Sequence, residues 1–131
     1  MGLVTATSRG NMMPLQTSAA PCEITTLVDR LTYTRGETPE TIRHLVQQRA
    51  AAHSYRFAVA CGNGLTPLIE AYVDRVALHA YRVTDREIEI LRAAGCSEDA
   101  IFELTLCAAV GAAIGRMGQA ASAMRGELLC A

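Results

Sequence analysis

Ser97–Met124, SEDAIFELTLCAAVGAAIGRMGQAASAM, decides the fold, and from Leu104 to Gly115 it contains no charged side chain. Ser97 suits an N-cap, Glu98 and Asp99 place carboxylates at the positive end of the helix dipole, and Cys96 can pack as N′ against Ile101. Ile101, Leu104, Cys107, Ala108, Val110, Ala112 and Ile114 surround the axis with apolar or small groups, predicting a core helix packed on most of its sides. A run of 12 uncharged residues falls short of the about 20 needed to cross a bilayer. Arg116 and Gln119 mark its return to water. Gly111 and Gly115, with Cys107 a turn earlier and Gly118 beyond, leave one face almost without side-chain bulk. Glycine inside a helix costs roughly 1 kcal/mol relative to alanine. This face therefore predicts a close helix crossing, in the core or at a subunit interface, with a ligand pocket as the alternative.

Length and composition bound the rest. A chain of 131 residues, 50% hydrophobic, without Trp and with a formal charge of -1, fits one soluble helical domain with no basic field for nucleic acid. The five cysteines, at 22, 61, 96, 107 and 130, have no paired spacing and read as reduced cytoplasmic thiols. No apolar leader opens the chain and Ala6 stands where a myristoylation signal needs Ser or Thr, so no membrane association is expected.

Residues 1–36 read as an N-terminal arm, with a short amphipathic helix near 24–33 formed by Ile24, Leu27, Val28 and Leu31. Residues 37–126 form the helical domain, and 127–131 a tail. A second helix is expected to begin with Thr38 as cap and Pro39 at N1, and to carry Ile42, Leu45, Val46, Arg49 or Ala50, His53 and Phe57 inward. Gly62-Asn63-Gly64 is a loop; without a preceding strand or a Walker lysine it is no phosphate cradle. Thr66-Pro67 opens a third helix that runs to about Arg82. Thr84-Asp85-Arg86-Glu87 is a capping box with a Val83/Ile88 staple, opening a fourth helix that runs to Ala94, with Gly95 as its left-handed stop. Short connections then predict a compact all-α bundle of about five helices.

The run AYVDRVALHAYRVTDREIEILRAAGCSEDAIFELTLCAAVGAAIGRM, Ala71–Met117, has a helix ending in Ala93-Ala94-Gly95, a Ser97-Glu98-Asp99 cap and then a long small-residue helix. It resembles the carboxymuconolactone decarboxylase and alkyl hydroperoxidase D superfamily, with a looser likeness over residues 37–125. The resemblance implies an all-α fold assembled as a trimer or hexamer. The family's peroxidase branch carries a Cys-x-x-Cys-x-x-x-His motif about eight residues before the helix-ending glycine. In the register set by Gly95, those positions are Ala80, Val83 and Glu87. Peroxide reduction by that route needs an activated thiolate, a resolving cysteine and a proton-moving histidine, so the likeness is one of fold and carries over no catalytic residue.

Three pocket candidates follow. His79 adjoins the first motif position and lies near Val76 and Val83, where it can act as a general base in a decarboxylase or lyase acting on a small organic acid, or stand as a half-buried surface histidine. Glu87 is its possible companion beyond the capping box. Cys107 reads either as a small core hydrophobe or as a pocket thiol; it or Cys61, each as a single thiol, would serve a weak thiol-dependent redox activity. A non-catalytic oligomeric binding module is the remaining reading. His44 and His53, nine positions apart, do not share a metal, and no cofactor is implied. Glu103 and Arg116, thirteen apart, belong to a solvated rim or subunit contact.

Overall fold

The computed structural model describes residues 22–55 and 64–126. Among these residues the chain forms five α-helices and no strand: α1 (Cys22–Tyr33), α2 (Glu40–Ala52), α3 (Pro67–His79), α4 (Asp85–Ala93) and α5 (Glu98–Met124), with 3-10 turns at His53–Tyr55 and Ala80–Arg82. Phe57, Cys61 and most of the Gly62-Asn63-Gly64 loop lie outside the described residues, as do the sequence before Cys22 and the tail after Gly126.

The locally encoded ends form as expected. Ser97 Oγ accepts the amide of Ala100 at 3.1 Å and Thr66 Oγ1 that of Ile69 at 3.4 Å. The capping box opens α4, the Thr84 amide donating to Glu87 Oε2 at 2.9 Å. Gly95 adopts φ +100°, and the Cys96 amide donates back to the Leu91 carbonyl at 3.1 Å, the six-to-one bond that ends a helix in the Schellman manner. Helix α4 stops at Ala93, one residue early, and α3 stops at His79, its last expected turn tightening into the 3-10 turn.

The start of α2 differs. Pro39 is the N-cap and no side chain caps it locally. Instead Glu103, from the middle of α5, accepts the amides of Glu37 at 2.9 Å and Thr38 at 2.7 Å. Burial opposes ionisation of Glu103, but the bonds from Thr38 and Glu37 outweigh it and hold its carboxyl below the ordinary range. Helix α2 also ends at Ala52; His53, its C-cap, keeps helical backbone angles and opens the 3-10 turn.

The most extensive helix pair is α2 against α5. Gly111 and Gly115 face the backbone of α2 directly: a Cβ on Gly115 would stand 2.6 Å from the Ala51 carbonyl oxygen. The bare face of α5 is thus filled by α2 inside one chain. Around this crossing the core gathers Val46 and Ala50, Val73 and Ala77, Leu91, Ile101, Leu104, Cys107, Ala108 and Ala112. Tyr72 fastens α3 to α5: Thr105 donates its hydroxyl to the Ile101 carbonyl, so the Tyr72 hydroxyl is the donor in its 2.7 Å bond to Thr105. The α1 helix docks through Arg43, whose Nη1 donates to the Leu31 carbonyl at 2.8 Å, and through Gln47, whose Nε2 donates to Thr32 Oγ1 at 2.9 Å.

The expectation that α5 is covered on most sides does not hold. Its other side carries Phe102, 63% exposed, with Leu106, Met117 and Met124 also exposed, because the remaining four helices all pack against one flank. By length and composition α5 is apolar enough to cross a membrane, with a mean hydropathy of 1.5 in a window that is 44% buried.

Candidate functional site

Arg49 and His53 stand four apart at the end of α2, and Glu70 and Asp74 stand four apart on α3. That spacing brings each pair to one face, and the packing of α2 on α3 turns the faces together. Arg49 grips Asp74 with two bonds, Nε to Oδ1 at 2.6 Å and Nη2 to Oδ2 at 2.7 Å, and its Nη1 lies 3.2 Å from Glu70 Oε1. Arg49 and Glu70 are both buried. His53 Nε2 lies 2.7 Å from Asp74 Oδ1, the ring being 17% exposed.

Desolvation pushes the Asp74 carboxyl toward the neutral form, but the bonds from Arg49 and His53, with the positive charge beside it, hold it below its usual range. An ionised Asp74 accepts only, so Nε2 of His53 is the donor in this bond, which in the neutral ring leaves the lone pair on Nδ1. The carboxylate fixes both the tautomer and the ring plane, as in other acid–base histidines.

His53 lines a cleft of ≈ 330 Å³ with Ala50, Ser54, Ala77, Leu78, Ala112, Arg116 and Gln119. That volume suits a small molecule. Arg116 is one of the lining residues, its Nη2 donating to the Ala77 carbonyl in the last turn of α3, where a cation also meets the negative end of the helix dipole. A guanidinium has five N–H donors in a fork, so one carbonyl leaves capacity for a carboxylate or phosphate. The cleft thus combines an oriented imidazole, a guanidinium and a small apolar floor.

The candidates from sequence lie elsewhere. His79 is exposed at the end of α3, edge-on to Tyr81 with ring centroids 6.0 Å apart. Glu87 closes the capping box, pairs with Arg75 at 3.0 Å and borders a cavity of only ≈ 50 Å³. Cys107 is wholly buried, 4.0 Å from Gln47 Nε2, and burial raises its thiol pKa. The three do not converge. Ala80 and Val83 stand in and after the 3-10 turn that follows α3. Among the described residues no three His, Cys, Asp or Glu side chains are grouped to hold a metal ion. No local motif marks Arg49, Glu70 and Asp74 as a site; two i, i+4 pairs of ionisable residues on the inner faces of adjacent helices are the signal available. No protein-family model, curated protein or solved structure matches the chain.

Proposed function

We propose that this chain is a carboxymuconolactone decarboxylase-like helical protein, without the peroxidatic dithiol, that binds a small organic acid in the His53 cleft and moves a proton on it. The observation that carries this reading is the 2.7 Å contact between His53 and an Asp74 already clamped by Arg49. A histidine held in one tautomer beside a cleft is built for general acid–base work. Arg116 supplies the charge to hold a carboxylate, and the nearby alanines Ala50, Ala77 and Ala112 leave room for a compact carbon skeleton. Lyase or decarboxylase chemistry on such an acid suits these groups, with His53 rather than His79 as the base; Glu87 and Cys107 take no part. The unpaired thiols of Cys96 and Cys107 support a reducing, cytoplasmic setting.

The test is an NMR titration of the histidine rings with a panel of small mono- and dicarboxylates. A saturable shift at His53, absent at His44 and His79 and weakened at least tenfold by Arg116→Ala, is the expected result. If no carboxylate moves His53 at millimolar concentration, the reading fails.

A further inference from the structure

Helix α5 meets the His53 cleft along two parallel columns of its surface. Ala112 and Arg116 form one, Gly115 and Gln119 the other, each pair four residues apart and so on one face. Ala112, Arg116 and Gln119 line the cleft together with His53 and Ser54. Ser54 is tied to the second column, because a Cβ on Gly115 would stand 2.8 Å from its Oγ. Its hydroxyl therefore lies over the bare glycine. Gln119 leaves the same face roughly 6 Å further along the axis, and helical side chains lean toward the N-terminus, so it inclines back toward Gly115 and that hydroxyl. Among the described residues neither the Ser54 hydroxyl nor the Gln119 amide has a hydrogen-bond partner, and both residues are half-buried.

We infer that the acid bound in this cleft is a hydroxy monocarboxylate, its carboxylate held at Arg116 and its hydroxyl between Ser54 and Gln119. This rests on the cleft being an organic-acid site and narrows what that site takes. A hydroxyl and a primary amide each donate and accept, and the ligand group that answers both in kind is another hydroxyl. A ketone oxygen only accepts. A methyl group in its place would leave both polar groups covered and unpaired, the arrangement by which a site rejects an analogue that lacks the oxygen. A second carboxylate finds no charge to meet, since Arg116 is the one permanent cation among the described lining residues and the free nitrogen of a neutral His53 presents a lone pair. Arg116 and Gln119 stand three positions apart on α5, with about 5–6 Å between their Cβ atoms. Groups so close select a hydroxyl near the carboxylate, on the second or third carbon of the acid.

Matched pairs of acids test this on the full chain. Shifts of the His53 ring give the dissociation constants of 2-hydroxypropanoate against propanoate, of 3-hydroxybutanoate against butanoate, and of succinate. Each hydroxy acid should bind about tenfold more tightly than its plain partner, the worth of one good hydrogen bond, and succinate no better than butanoate. Ser54→Ala and Gln119→Leu should each erase that preference with helical circular dichroism unchanged. Equal binding of the two members of each pair by the parent chain overturns the inference and leaves the organic-acid reading standing. A preference for succinate, or a hydroxyl preference that survives in both variants, does the same. Silence of His53 toward every acid removes the organic-acid reading itself, and the inference falls with it.

Discussion

Gly111 of α5 rests on the backbone of Gln47 in α2, so closely that a methyl group added to it would stand 2.8 Å from the Gln47 Cα. Gly111→Ala and Gly115→Ala each gain up to about 1 kcal/mol of helix propensity, yet each drives a carbon into rigid backbone. Overpacking of that kind costs roughly 1–3 kcal/mol, so both variants should be less stable than the parent. A lower urea midpoint with an unchanged slope is the expected reading; a raised midpoint would mean that the helices can part without loss.

Arg49 is 8% exposed and holds two carboxylates. Arg49→Ala removes the guanidinium that pairs with the buried Glu70, and losing one partner of a buried pair costs about 3–5 kcal/mol. Arg49→Met combined with Glu70→Leu removes both charges and should recover much of that loss. Thermal unfolding of the two variants side by side decides the point, and equal losses would mean that the charge pairing is not what matters.

Acid should loosen the start of α2. The carboxyl pKa of Glu103 is lower in the folded chain than its ordinary 4.5. Between the folded value and 4.5 the unfolded chain therefore binds more protons, and stability rises with pH through that window. The contribution is fully present above 4.5 and disappears as pH falls through the folded value. Asp74 adds a second step of the same sign, below its ordinary 3.8. Glu103→Gln should flatten the acid limb of a stability profile without moving the step from Asp74.

Native-state alkylation should separate two thiols. Cys107 is buried and its pKa is raised, and only the thiolate reacts. Cys96 is partly exposed. Residue-resolved mass spectrometry should find Cys96 modified first and Cys107 only at the rate at which the core opens; rapid modification of Cys107 would revive a thiol-based activity.

The legible parts of this fold are those written within a few residues. The Thr84 box, the Ser97 cap and the Gly95 stop are local chemistry, and each appears where the sequence places it. The cap of α2 reads locally as Thr38, whereas the group that serves it, Glu103, is 65 residues away and becomes a neighbour only after α5 docks. The candidate site was hidden for the same reason. Arg49 and His53 read locally as positions on an inward stripe, and nothing local tells that Asp74 waits opposite. Gly111 and Gly115 announced a close approach but not that α2 would be the helix approaching. The outer face of α5 misleads in the other direction, since an apolar helix in sequence does not disclose how few of the described residues pack over it.

The bond from Thr38 to Glu103 also imposes an order of events. During synthesis the beginning of α2 leaves the ribosome long before the carboxylate that completes it has been made. Until then its first amides have only water for partners, and a helix of this length is marginal by itself. Helix α2 therefore matures late, together with α5, and a chain truncated before Glu103 should carry an uncapped, fraying segment that is vulnerable to proteases.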